Sequence, residues 1–78
     1  MKLVSIRPDK IGSAVMGYVP YPRERGEMLV NTDLVVLVAP TELDEMPVVI
    51  VSLMNGTALI FESSLDQVRL LLMGPLLH

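Results

Sequence analysis

Apolar residues recur along the chain in short runs that are typical of β-strands. The runs at residues 34–38 and 48–54 are rich in branched side chains, which favour a pleated sheet, and they predict two strong strands. Weaker runs of the same kind predict further short strands at residues 1–7, 13–19, 27–30 and 57–62. The pattern therefore predicts a mainly β fold.

Turn-forming residues separate these runs. Asn55-Gly56 lies between two apolar runs and predicts a type I′ hairpin turn, because both central residues of that turn need positive φ. Clusters of Pro, Gly, Asn and acidic residues predict other turns and loops. They comprise a rigid Pro-rich loop at 20–26, a turn at 31–33 and an acidic turn at 39–46 that begins at Pro40.

One helix is predicted near the end of the chain. Ser64 and Gln67 have the spacing of a capping box, and Asp66 falls in the first turn. The helix is expected over about residues 65–73, where Gly74-Pro75 ends it. Together these elements predict a small antiparallel β-meander or SH3-like open barrel of about five strands, closed by this helix.

The strong strands are apolar on both faces. In 48–54, residues of either parity are apolar, and such strands belong in a sheet that is covered on both sides. One short helix covers one side only, so we expect a second copy or a partner to cover the other. The candidate interface residues are Val36, Val48, Ile50, Ile60, Leu70 and Leu71.

Composition supports this expectation. The 78 residues fit a single domain, spanning 1–78, which buries only about 60% of its unfolded surface. Charged residues make up 19% of the chain, against about 25% in typical domains. The sequence has no cysteine and a single histidine, His78, which argues against disulfides and against thiolate or histidine metal sites. Oligomerisation is the remaining way to supplement so small a core.

The histidine and cysteine counts also bear on catalysis. No nucleophile with a neighbouring base is available in the usual forms, and the acidic residues of 39–46 lack the spacing of a calcium loop. We therefore predict a protein that is not an enzyme, with no catalytic residues, no bound metal and no cofactor.

Charge is unevenly distributed along the sequence. Residues 1–26 carry five basic and two acidic groups, a net +3, whereas residues 27–78 carry one basic and seven acidic groups, a net −6. Such asymmetry can orient a partner. The candidate partner-binding residues are Arg7, Lys10, Tyr21, Arg23 and Arg25.

No apolar run approaches the roughly 18 residues of a membrane span. The chain also lacks a basic start followed by an apolar signal core. We therefore expect a cytoplasmic protein.

From Asn31 onward the chain has the order Asn31-x-Asp33-Leu34, Pro47 before a strand, Asn55-Gly56, Glu62-Ser63 and Val68. In this order it resembles the small bacterial flagellar and swarming-motility proteins. The resemblance covers about the last three-fifths of the chain and not the Pro-rich loop. It implies a β-meander with a closing helix, in an accessory or regulatory protein that acts by contact and has no catalytic residues.

Three hypotheses for the function follow. The leading one is a non-catalytic, homo-oligomeric regulatory or accessory protein, bacterial or from a phage, that acts by protein–protein contact. The second is an oligomeric nucleic-acid-binding β-barrel that uses the basic N-terminal loops, since oligomerisation multiplies a weak basic patch. The third is a small structural or assembly protein of a phage or shell.

Overall fold

The computed structural model describes residues 2–73 of the chain. This part of the chain is mainly β, as the sequence predicts, and it ends in one α-helix. The elements are β1 Leu3–Ile6, β2 Lys10–Ser13, β3 Gly17–Pro20, β4 Met28–Asn31, β5 Val35–Leu43, β6 Met46–Leu53, β7 Ala58–Phe61 and α1 Leu65–Met73. Short 3₁₀ turns at Arg23–Arg25 and Thr32–Leu34 flank β4.

The strands form two antiparallel sheets. The larger has the order β3-β2-β7-β6-β5, and the smaller is a ribbon of β1 and β4. The larger sheet is open, with β3 and β5 as its edges. The prediction of an antiparallel β fold closed by a helix is confirmed, with seven strands in the described residues where about five were expected and with no closed barrel among them.

The core lies between one face of the larger sheet, the ribbon and the helix. Its buried side chains come from β1, β4, β6, β7 and α1 and are Ile6, Val30, Val49, Val51, Leu59, Phe61, Val68 and Leu72. The predicted helix stripe of Leu65, Val68 and Leu72 faces this core. Leu70 and Leu71 are exposed.

The helix begins as its sequence predicts. The Ser64 backbone N–H donates to Gln67 Oε1, and the Gln67 N–H donates to Ser64 Oγ, each at 3.2 Å. This reciprocal pair satisfies two backbone donors that the helix itself leaves without partners. The predicted stop at Gly74-Pro75 lies outside the described residues.

The prediction of one strand over residues 13–19 is wrong. This segment is the tip of a hairpin between β2 and β3, and Gly17 adopts a φ of +83°. The hairpin also brings Gly12 unusually close to its partner strand, since a Cβ at Gly12 would lie 2.0 Å from the Gly17 carbonyl oxygen. Only glycine fits at that position without movement of the backbone.

The prediction of an acidic turn over residues 39–46 is also wrong. Strand β5 continues through Pro40 to Leu43, and the turn consists of Asp44 and Glu45 alone, with φ of 52° and 65°. Proline is tolerated here because β5 is an edge strand, where one side of the backbone needs no partner.

The turn at Asn55-Gly56 joins β6 and β7 as predicted, but its type differs. Gly56 has a φ of 91°, whereas Asn55 is not among the residues with positive φ. The Gly56 N–H donates to the Leu53 carbonyl at 3.1 Å, and Asn55 Oδ1 accepts from the Thr57 N–H at 2.9 Å. The connection is therefore a three-residue loop with Gly56 at its left-handed position.

The second face of β6 and β7 is largely buried within the chain itself. Val48 is 3% exposed and Ile60 is 1% exposed, although both belong to the predicted interface. These two side chains therefore have almost no surface to offer a second copy, and the expectation that they need one is corrected. Of the other predicted interface residues, Ile50 is half-buried, whereas Val36 is exposed like Leu70 and Leu71.

Candidate binding cleft

A cleft opens where the chain passes between the two sheets. Residues 7–9 connect β1 of the ribbon to β2 of the larger sheet, and residues 21–27 return from β3 to β4. The end of β7 lies beside them, because Lys10 of β2 pairs with Ile60 of β7. The volume of the cleft is about 440 Å³, and its lining residues are Arg7, Pro8, Asp9, Lys10, Pro20, Tyr21, Arg23 and Glu62.

Asp9 joins the walls of the cleft through three hydrogen bonds. Its backbone N–H donates to the Ile60 carbonyl at 2.8 Å, and its own carbonyl accepts from the Tyr21 N–H at 3.0 Å. Its side-chain Oδ2 accepts from the Glu62 N–H at 2.7 Å. The ends of β2, β3 and β7 are thereby fixed around one residue.

Arg7 is held in place by two contacts. Its Nη1 donates to the Arg23 carbonyl at 3.2 Å, and its guanidinium lies 5.8 Å from the centre of the Tyr21 ring. A cation over an aromatic face at this distance is attracted by the ring quadrupole. Tyr21 is itself buried, so its ring serves as support for Arg7.

The other two basic side chains lie on the rim. Lys10 Nζ is 3.9 Å from Asp44 Oδ2, at the turn between β5 and β6. The Arg23 side chain has no hydrogen-bond or ion-pair partner among residues 2–73 and remains available to a ligand.

The charges in the cleft nearly balance. Three basic side chains, Arg7, Lys10 and Arg23, face two carboxylates, Asp9 and Glu62, for a net charge of +1. The Asp9 carboxylate is already engaged by the Glu62 N–H. The cleft therefore offers cationic donors for one anionic group, together with an exposed acceptor at Glu62.

Four of the five predicted partner-binding residues line this cleft. Arg7, Lys10, Tyr21 and Arg23 meet there, whereas Arg25 lies outside it at the end of the 3₁₀ turn. Sequence reasoning missed Pro8, Asp9, Pro20 and Glu62. A Pro-Asp pair directly before a strand is the one local signal for Asp9, and Glu62 becomes visible only through the register of β2 against β7.

Within residues 2–73, no group of three or more His, Asp or Glu side chains is arranged to hold a metal ion. Nor does that part of the chain contain a helix of the length and apolarity needed to cross a membrane.

In comparisons with protein-family models, curated proteins and solved structures, nothing matches this chain. The resemblance to flagellar and swarming-motility proteins therefore stays a prediction.

Proposed function

We propose that this chain is a non-catalytic accessory or regulatory protein that binds another protein through the cleft. The observation that carries the proposal is the convergence of Arg7, Lys10 and Arg23 on one concave surface at the junction of the two sheets. A concave site with a few convergent polar groups is the usual form of a binding site. A cytoplasmic, bacterial setting suits such a role, as does the motility family that the sequence resembles.

The buried position of Tyr21 supports a protein partner over a nucleic acid. Single-stranded nucleic acids bind by stacking bases on exposed aromatic faces and by pairing many phosphates with basic residues. One face of the Tyr21 ring is occupied by Arg7, and two carboxylates lie among the three cations of the cleft. Both features favour a protein ligand with few charges.

The test compares two arginines of the same loop. Arg23 lines the cleft and Arg25 does not, so Arg23→Gln and Arg25→Gln make the same charge change at different places. Proteins captured from cell extract by the wild-type chain are identified and quantified for both variants. We expect a partner that is retained by R25Q and lost with R23Q. Equal retention by both variants, or the absence of any reproducible partner, would overturn the proposal.

We also propose that copies of the chain associate through exposed apolar side chains. Val36, Leu70 and Leu71 are each about half exposed, and covering them would supplement the small core of the chain. Light scattering should give a mass above 8.6 kDa for the wild type. We expect Leu70→Glu to lower that mass and Val15→Glu, at the β2–β3 tip, to leave it unchanged. A wild-type monomer would contradict the proposal.

A further inference from the structure

We propose that the cleft recognises a carboxylate of its partner protein and that Asp44 competes with this carboxylate for Lys10. The inference rests on the proposed function and specifies the chemistry of the ligand. Two observations support the inference. The guanidinium of Arg7 is held in one orientation, and Lys10 contacts Asp44 in the turn between β5 and β6.

Arg7 is prepared for a planar anion. Its contacts with the Arg23 carbonyl and the Tyr21 ring orient the guanidinium before any ligand arrives. A guanidinium has several N–H donors in a fixed fork that matches the two oxygens of a carboxylate. Because the side chain is already ordered, binding loses less conformational entropy than it would at a free arginine.

The surroundings of Arg7 favour a single carboxylate in a peptide. Arg23 and Lys10 supply further positive charge, while the exposed Pro20 provides an apolar wall that a peptide side chain can contact. Glu62 is exposed in the same cleft and can accept from a peptide N–H. That carboxylate would instead repel a chain of phosphates, whose charges repeat at every nucleotide.

Lys10 already has a carboxylate neighbour. Asp44 Oδ2 lies 3.9 Å from Lys10 Nζ, and the Asp44 side chain is 86% exposed. An exposed pair at this separation is weak and is readily exchanged for another anion. The Asp44 carboxylate therefore lies beside Lys10 at the position that the carboxylate of the partner protein would take on binding. The negative charge of Asp44 also opposes the approach of that carboxylate.

Asp44→Asn tests this competition, because it removes the charge of Asp44 and leaves the turn intact. Asp44 has a φ of 52°, and asparagine tolerates the left-handed region as well as aspartate does, so the turn is preserved while the charge is removed. We expect D44N to strengthen ligand binding about two- to fivefold, the range in which exposed ion pairs act. Glu45→Gln, at the next turn position, is the matched control, because within residues 2–73 Glu45 makes no ion pair or hydrogen bond with Lys10.

The experiment titrates the full chain with labelled peptides and follows fluorescence anisotropy. The probes are a Gln-Gln-Glu-Gln peptide blocked at both ends, a tetraglutamine with a free carboxyl terminus, and a fully blocked tetraglutamine. The first two separate a side-chain carboxylate from a terminal one, and the third has neither. A short single-stranded thymidine oligonucleotide tests the nucleic-acid alternative.

We expect one of the two carboxylate peptides to bind and the blocked tetraglutamine not to bind. Arg23→Gln and Lys10→Gln should each weaken binding about tenfold, since each removes one charge-assisted contact. Arg25→Gln should leave binding unchanged. Arg23→Gln is the safer variant for folding, because its side chain has no partner among the described residues.

Three results would overturn the inference. They are failure of both carboxylate peptides to bind at millimolar concentration, tighter binding of the oligonucleotide than of either peptide, and equal affinity of D44N and E45Q. If the peptides fail while the partner captured from extract still depends on Arg23, only the carboxylate assignment is wrong. If capture no longer depends on Arg23, the proposed function itself is wrong.

Discussion

The two faces of the central strands β6 and β7 are buried by different means. On one face, Val49, Val51 and Leu59 pack against the ribbon and the helix in a continuous apolar core. On the other, Ile60 pairs across the sheet with Lys10 and with Ile50, beside the charged cleft. The first face packs in an all-apolar cluster, whereas on the second the neighbour of Ile60 in the sheet is Lys10, a charged residue that lines the cleft.

This difference separates stability from function within a short chain. A closed apolar face contributes stability roughly in proportion to its buried area. A face that ends in a cleft buries less apolar area, but it presents polar groups that a ligand can reach. Substitutions on each face measure how far the two faces are independent.

The largest effect is expected from truncation of adjacent residues on opposite faces. Leu59 is 0% exposed, so Leu59→Ala should lower the free energy of unfolding by about 3–5 kcal/mol. Ile60 is 1% exposed, so Ile60→Ala should also leave a cavity and cost about 2–5 kcal/mol. Urea unfolding at two protein concentrations measures both, and Leu59→Val and Ile60→Val are the milder pair if an alanine variant fails to fold.

Both costs should be independent of protein concentration, because both side chains are already buried within one chain. A cost for Ile60→Ala that changes with concentration would show that a second copy completes the second face.

A somewhat smaller effect is expected in the hairpin of β2 and β3. Gly12→Ala places a methyl group 2.0 Å from the Gly17 carbonyl and should cost about 1–3 kcal/mol through forced movement of the backbone. Because β2 also carries Lys10, the variant should weaken peptide binding as well. Val19→Ala, an exposed change on β3, is the control. Unchanged stability of G12A would mean that the close approach is absent in solution.

The helix cap affects the first face only. Ser64→Ala removes the side-chain acceptor for the Gln67 N–H and should cost about 1 kcal/mol in thermal or urea unfolding. Peptide binding should be unchanged, since Ser64 does not line the cleft. Ser63→Ala is the matched control and should change stability little. A loss of peptide affinity in S64A would show that the two faces are coupled.

The smallest effect is expected at the turn of β5 and β6. Glu45 has a φ of 65°, a conformation that glycine adopts without a steric penalty. Glu45→Gly should therefore stabilise the chain by about 0.5 kcal/mol, the steric gain being reduced by the greater freedom of glycine in the unfolded state. A rise in melting temperature measures this gain. Destabilisation would imply a contact of the Glu45 side chain that the structure lacks.

The elements that were predicted well are those with local signals. The helix start followed from the Ser64 cap, and β6 from its run of branched residues. The same reasoning from local signals failed at β5, because Pro40 and the acidic residues after it are residue types that are common in turns. An edge strand accepts them, but edge position is a property of the whole sheet.

The β2–β3 hairpin was missed because its strands have only four residues each and little alternation of apolar and polar positions. For a related reason, the sequence identified only some of the residues that line the cleft. Clustered charge in the first 26 residues identified Arg7, Lys10 and Arg23, whereas Glu62 joins them only through the pairing of Lys10 with Ile60. Long-range register of this kind leaves no local trace in the sequence.

The three hydrogen bonds of Asp9 have a thermodynamic consequence. Since this residue ties the ends of β2, β3 and β7 together, the cleft exists only when those strands are assembled. A ligand of the cleft therefore binds the folded chain and not the unfolded one, and mass action must raise the free energy of unfolding. The gain is about 2.7 kcal/mol at a ligand concentration one hundred times the Kd. The melting temperature of the chain can thus serve as a sensor with which to screen for the proposed ligand of the cleft.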